Sequence, residues 1–401
     1  MKTVKDIKLS DGRVLVRVDF NVPLDKSGQI TDDARIRRSL PTLEYALANN
    51  AKILIASHLG RPKGKVMREF SLAPAAKCLG DLIGKAVILA PDCIGPETDR
   101  LANSMMPGDI VMLENLRFHE GEQQNDDEFA RDLASLCDVY VNDAFAVSHR
   151  ANASVVAITR HVPDCVAGFL LKKELDYFDQ AMTHPERPLA AVVGGAKVSS
   201  KLVALENILR RVDLIMIGGA MANTFLMGSG IDMGRSRVEP ELFETAANVI
   251  KIAAEKNIRF FLPVDVVVAP ALDVDAPIQV VPVNKMPKDQ MALDIGPATI
   301  VRYTEALSDA KTVVWNGPMG AFEIKPFAKG TDALVDCIAD IDALTIVGGG
   351  DTGLAVHNSG RADDVSYIST GGGAFLTLLE GRPLPAVAAL VEAETRRGSI
   401  D

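Results

Sequence analysis

Short runs that are apolar throughout alternate with helix-period segments along nearly the whole chain. In the first half the runs are RVLVRVDFN (13–21), KILIASHLGR (52–61), DIVMLENLRF (109–118) and DVYVNDAF (138–145). In the second half they are LAAVVGGAK (189–197), DLIMIGGAM (213–221), FFLPVDVVVA (260–269), KTVVWNGPMG (311–320), ALTIVGGGD (343–351) and VSYISTGGG (365–373). Continuous Val, Ile and Leu without polar alternation is the pattern of parallel strands buried on both faces. Segments such as SLPTLEYALANN and DEFARDLASLC carry helix-spaced apolar positions between them. Repeated strand–helix units predict parallel sheets with helices on both faces. Between the halves, GFLLKKELDYFDQAM (168–182) has helical period and no strand signal. The pattern therefore predicts two doubly wound α/β domains joined by a helix, with a cleft between them. A C-terminal tail, RPLPAVAALVEAETRRGSID, carries a short helical pattern whose packing partner the pattern does not reveal.

Composition narrows this picture. With 401 residues, 48% hydrophobic and 24% charged, the chain has the size and balance of a two-domain globular protein. No apolar run is long enough to span a bilayer, and the first 20 residues lack a signal-peptide core, so a cytoplasmic location is expected. Five scattered cysteines without a CxxC pair read as reduced buried thiols rather than a disulfide framework or a zinc site. A net charge of −10 argues against general nucleic-acid binding.

Ligands of open α/β sheets bind beyond the carboxyl ends of the strands, so the residues that end each run carry the chemistry. In the first half these are Asp19, Asn21, His58, Arg61, Arg117, His149 and Arg150, with Arg35 in TDDARIRRS. Four arginines and two histidines at one sheet edge make a positive basin for a small, multiply charged anion. In the second half the strand ends carry glycines: Gly194-Gly195, Gly218-Gly219, Gly317, Gly348 to Gly350 and Gly371 to Gly373. Glycine lets backbone approach phosphate and opens helix N-termini to it. Lys197 and Lys201 follow one pair, and their spacing puts both on one helix face.

The segment IVGGGDTG (346–353) fits the dinucleotide fingerprint GxGxxG but places Asp351 among the glycines. A dinucleotide loop keeps its acidic residue about 20 positions downstream. Asp351 next to phosphates fits a bridging Mg²⁺, with Thr352 as an N-cap or hydroxyl partner, while the plainer alternative makes Asp351 itself the helix N-cap. No GxxxxGK[ST] loop occurs. One half thus suits a small acid and the other a Mg-nucleotide, which is the layout of phosphoryl transfer.

These motifs carry a resemblance. RVDFNVP (17–23), DDARIRRSLPT (32–42), SHLGRP (57–62), ENLRF (114–118), VNDAF (141–145), GGAKVSSK (194–201), WNGPMGAFE (315–323), GGGDT (348–352) and ISTGGGA (368–374) resemble, in order and from end to end, the phosphoglycerate kinase family. The resemblance implies reversible transfer of a phosphoryl group between 1,3-bisphosphoglycerate and ADP, giving 3-phosphoglycerate and ATP, by in-line transfer after hinge closure. It implies a phosphoglycerate-binding domain over 1–170, with the tail 384–401 packed on it, and a nucleotide domain over 171–383. By motif, Asp19, Phe20, Asn21, Arg35, His58, Leu59, Gly60, Arg61, Arg117 and Arg150 match the acid-binding positions. Lys197, Lys201, Gly218, Gly219, Asn316, Pro318, Glu323, Gly349, Gly350, Asp351 and Thr352 match those for ATP or ADP, with Mg²⁺ on Asp351. Arg35, Lys197 and the amides of Gly371, Gly372 and Gly373 are the expected stabilisers of the transferring group. The family is usually monomeric. AFAVSHRANAS (144–154) departs from the family's AFGTAHRAHAS at Ala146 and Asn152, which leaves the role of the second histidine open.

The attacking group is a carboxylate, so no general base is expected; positioning and charge stabilisation carry the reaction. Competing readings are an ATP-dependent kinase of another small carboxylate, which trial of other acids would separate, and a nucleotide-binding regulator without turnover. A nicotinamide-dependent oxidoreductase fits least, because of Asp351.

Overall fold

A computed structural model describes residues 1–398. The chain divides into two compact units, Met1–Leu175 with the segment that begins at Pro383, and Asp176–Arg382. The division falls inside the helix Phe169–Met182. Among the described residues no helix is long and apolar enough to cross a membrane.

The first unit is built on β1 (Arg13–Arg17), β2 (Lys52–Ala56), β3 (Val87–Leu89), β4 (Ile110–Met112), β5 (Val139–Asn142) and β6 (Asp164–Ala167). They form one sheet in the order β3-β4-β2-β1-β5-β6. Every pairing is parallel. Strand order reverses between β1 and β5, which is where a doubly wound sheet opens a crevice at its carboxyl edge. Val14, Val16, Ile53, Ile55, Ile110, Met112, Val139 and Val141 fill the core with the helices Ala34–Ala48 and Ala73–Ile83.

The second unit repeats the plan. Its strands are β7 (Leu189–Val193), β8 (Leu214–Ile217), β9 (Arg259–Phe261), β10 (Asp265–Ala269), β11 (Gln279–Pro282), β12 (Met291–Ile295), β13 (Thr312–Asn316), β14 (Leu344–Gly348) and β15 (Tyr367–Ile368). Six of them make a parallel sheet, β15-β14-β13-β7-β8-β9, with its switch point between β7 and β13.

Two sequence expectations need correction here. The run 260–269 is not one strand. Pro263 has no N–H to donate and restricts Leu262, so the chain breaks into β9 and β10. β10 then leaves the parallel sheet and pairs antiparallel with β11 and β12 in a separate three-stranded sheet. Four strands, β3, β6, β11 and β12, are not read from the sequence; β3, β11 and the first half of β12 are not fully buried and do not build an unbroken apolar run.

The tail helix, Pro385–Arg397, belongs to the first unit. It packs on β6 and on the 3-10 turn Ala157–Arg160. Ala386 N–H donates to Ser148 O at 3.2 Å, and Arg396 donates to Thr159 O at 2.7 Å. Ala386 also joins Ala144, Val147 and Val155 in a small apolar cluster.

Candidate active site

In the first unit the carboxyl ends of β1, β2, β4 and β5 bring most of the expected basic residues together. Arg35, at the start of its helix, pairs with Asp19. His58 is buried beside them. Burial, and then the charges of Arg17, Arg117, Arg35 and Arg150, push its imidazole well below the usual histidine range. It is therefore neutral near pH 7, and the 3.7 Å approach of Asp19 to Nδ1 is no ion pair. Nδ1 instead accepts from Arg17 at 3.3 Å, which leaves the proton on Nε2.

Four guanidiniums acting on one ring measure how tightly positive charge is gathered. Arg117 is pulled down to about 10, by burial first and then by Arg150 and Arg17. It donates to Gly60 O at 2.7 Å through Nη1, while its Nε is buried without a partner. His149 Nδ1 is likewise buried and unpartnered, and its Nε2 accepts from Arg150 at 3.2 Å. Buried polar atoms without partners are uncommon in native proteins. Together with mutual repulsion among the arginines, they describe a site that gains by taking up an anion.

Asn21 shapes the second loop of the basin by accepting from Gly60 N–H at 2.8 Å. Arg61 stands exposed one residue further on. It makes no hydrogen bond or ion pair among the described residues. Phe20 and Leu59 are buried in the core. Their N–H groups go to Ser57 Oγ at 2.8 Å and Asn115 Oδ1 at 3.2 Å, so both support the loops from below.

Sequence reasoning missed the layer beneath. Arg17 is 1% exposed and Glu122 0%. Arg17 Nε donates to Ser154 Oγ at 2.8 Å, and its Nη2 lies 3.7 Å from Glu122. Glu122 also accepts from Ser154 N at 2.9 Å, Ser154 Oγ at 2.7 Å and Asn152 Nδ2 at 3.3 Å. Asn152, which departs from the family pattern, is thus a ligand of this buried carboxylate. Arg17 ends β1, so the strand-end rule that selects Asp19 reaches it two residues earlier.

In the second unit the glycines gather at the switch point. Gly194 N–H donates to Asn316 O, and Gly195 N–H to Pro318 O, each at 3.0 Å. Gly219 N–H donates to Met319 O at 2.9 Å. A Cβ on Gly219, whose φ is +64°, would lie 2.6 Å from Gly195 N and 2.9 Å from Pro318 O. Gly218 caps the helix Gly219–Gly228, Gly349 caps Gly350–Asn358 and Gly371 caps Gly372–Leu379. A Cβ on Gly372 would come 3.0 Å from Gly349 Cα, so two helix N-termini adjoin. Their unpaired N–H groups and positive dipole ends suit phosphate.

Asp351 lies in the first turn of its helix and is exposed. Gly349, not Asp351, is the cap. Thr352 is buried, and its hydroxyl accepts from Gly317 N–H at 2.8 Å, tying two loops together. Space around Gly350 is open, with nothing within 4 Å of where a Cβ would be. A free carboxylate beside open backbone amides is a donor set that fits Mg²⁺ together with a nucleotide's phosphates.

The two lysines do not share a helix face. Residues 194–201 are irregular and the helix begins at Leu202, so the spacing argument fails there. The glycine pair turns the chain where helix period was assumed. Lys197 is exposed. Lys201 folds back to donate to Gly194 O at 2.6 Å and Asn316 O at 2.9 Å. Burial pulls it down to about 8, with Asp351 opposing. Glu323 is exposed, Pro318 half-buried and Asn316 buried.

Asp294 packs closely on Gly320, in the segment that carries Pro318 and Glu323. It is 4% exposed and accepts from Ile295 N at 2.9 Å and Gly330 N at 2.8 Å. Burial pushes it up to about 7. The ordinary aspartate value is about 3.9, so the folded protein holds the proton more tightly than the unfolded chain. Its stabilising contribution is complete below about pH 4 and is lost as pH rises through about 7. Asp294→Asn should therefore flatten the fall in urea midpoint between about pH 4 and 7. Asp143, pushed up to about 6, keeps a remainder. An undiminished slope in the variant would assign the effect to other groups.

Comparison with known proteins gives the family. The family profile described as Phosphoglycerate kinase matches residues 4–382. A phosphoglycerate kinase of Desulfosudis oleivorans is 58% identical over 390 residues, covering 97% of this chain and 98% of the relative. One of Geotalea uraniireducens is 56% identical, covering 95% and 96%. The solved structure of phosphoglycerate kinase from Coxiella burnetii superposes with a TM-score of 0.89 at 42% identity, covering 98% of this chain and 99% of that one. That from Pyrococcus horikoshii gives 0.85 at 32% identity, covering 98% and 100%. With a profile match over nearly the whole chain, relatives above half identity and solved structures of the same two-unit fold, the chain belongs to the phosphoglycerate kinase family, the kinases that reversibly transfer a phosphoryl group between 1,3-bisphosphoglycerate and ADP.

Proposed function

We propose that this chain performs the family reaction with the residues assembled above. Asp19, Asn21, Arg35, His58, Arg61, Arg117 and Arg150 take the phosphoglycerate. Lys197, Lys201, Gly218, Gly219, Asn316, Pro318, Glu323 and the loop Gly349–Thr352 take ATP or ADP. Asp351 would hold Mg²⁺, which when bound neutralises phosphate charge. Arg35, Lys197 and the amides of Gly371, Gly372 and Gly373 stabilise the transferring phosphoryl.

The observation that carries this reading is the basin itself. Burial, and then four arginines, depress one histidine, and the buried Arg117 Nε and His149 Nδ1 stand without partners. The neutral His58 has its Nδ1 filled by Arg17, so it is not free to act as a base through that atom. An ionised carboxylate nucleophile needs none. The direct test is a coupled assay with 3-phosphoglycerate, ATP and Mg²⁺. Turnover should require all three, and equal turnover with unphosphorylated glycerate would overturn the assignment of the basin.

Asp351→Asn keeps the side chain's size and removes its charge. Activity should fall and the Mg²⁺ concentration for half-maximal rate should rise. Thermal stability should change little, because the residue is exposed and is not the cap. Full activity with an unaltered Mg²⁺ dependence would remove the metal from Asp351.

A further inference from the structure

Away from both sites, three side chains with metal-binding atoms converge in the first unit. Asp92 and Cys93 lie on the turn after β3, and His119 ends the 3-10 turn Leu116–Phe118 that carries Arg117. Their ligand atoms all lie within 4.8 Å of one another. His119 Nε2 is 2.8 Å from Asp92 Oδ1, which also accepts from Cys93 N–H at 2.6 Å. The Cys93 thiol also hydrogen-bonds to the Asp92 carboxylate. The turn is fixed from behind by Thr98, whose hydroxyl donates to Asp92 O at 2.9 Å. Cys93 is buried, but the side chains of Asp92 and His119 are 39% and 31% exposed, which leaves a route from solvent.

We propose that Asp92, Cys93 and His119 form a binding site for a zinc-class divalent cation, with water as the fourth ligand. One sulfur, one imidazole nitrogen and one carboxylate oxygen make a mixed set suited to Zn²⁺ in four-coordinate geometry. Mg²⁺ prefers an all-oxygen octahedron, so this site and Asp351 select different ions. On binding, the Cys93 S–H bond breaks, a sulfur–metal bond forms and the proton passes to solvent. No electron is transferred. The bound ion would link the turn after β3 to the segment holding Arg117, on which phosphoglycerate binding rests.

The test uses the full chain, reduced and stripped of metal with a chelator, and Co²⁺ as a spectroscopic probe. One Co²⁺ per chain should give a thiolate-to-metal charge-transfer band and the intense visible bands of a four-coordinate ion. One equivalent of Zn²⁺ should displace both. Cys93→Ser should abolish the charge-transfer band, while Cys137→Ser should leave it intact. His119→Gln and Asp92→Asn alter part-exposed residues and keep the test open should Cys93→Ser fail to fold. Each should weaken binding about tenfold or more, since even outer-shell changes cost 10–100-fold. A charge-transfer band that survives in Cys93→Ser, or affinity unchanged in the other two variants, would overturn the site. So would spectra showing only weak six-coordinate bands.

Discussion

Arg35→Ala is expected to lower kcat on the order of 10²-fold or more, the scale of losing one preorganised electrostatic group. The side chain pairs with Asp19 and is still 39% exposed, so one of its faces remains open to a ligand. If it acted only on bound ground-state acid, KM for 3-phosphoglycerate would rise with kcat unchanged. If it stabilises the transferring phosphoryl, kcat and kcat/KM fall together. The fold should tolerate the change, because Arg35 is not part of the core. Steady-state kinetics with both substrates varied decide the matter. Retention of both constants would return Arg35 to an ordinary surface ion pair.

Glu122→Ala should produce the largest loss of stability, about 3–5 kcal/mol, the cost of removing one partner from a buried ion pair. Arg17 would be left charged and enclosed. Ser154 and Asn152 would each lose an acceptor. Glu122→Gln should cost less, since an amide oxygen still accepts from Ser154. Denaturant titration of the three proteins gives the order. A secondary effect follows on substrate. Arg17 supports His58 at 3.3 Å, so the glutamine variant should show a raised KM for 3-phosphoglycerate before it shows a changed kcat. Equal stability of Glu122→Ala and the parent protein would show that Arg17 finds another partner or water.

Strand ends were the legible part of this chain. Buried parallel strands announce themselves as unbroken apolar runs, and most of these runs end in candidate site residues, from Asp19 to Gly371; the run 260–269 does not. What escaped had a physical reason in each case. β3 has only three residues and β11 is an exposed edge between prolines, so neither builds a run. Pro263 sits inside an apolar stretch and ends one strand where periodicity reads continuity. Arg17 and Glu122 meet across more than a hundred residues, and only tertiary packing makes that pair. Lys197 and Lys201 show the limit of spacing: four residues apart means one face only if the intervening backbone is helical, and Gly194-Gly195 turned it elsewhere. Phe20 and Leu59 sit beside candidate site residues in their motifs, yet both lie past their strand ends with side chains packed in the core.

The first unit has its last piece some 207 residues downstream, since Leu175 is followed by the whole of the second unit before Pro383. A ribosome adds about 5–20 residues per second, so roughly 10–40 s pass between the two. Throughout that interval β6 and the turn Ala157–Arg160 lack the helix that covers them, and Ser148 lacks Ala386. The loop bearing Arg150 is therefore completed late. Synthesis order thus inverts the order of the sequence: the second unit, contiguous in the chain, has all its parts before the first one does. A released chain ending short of residue 385 would contain every strand of the second unit and leave one flank of the first unit's sheet bare.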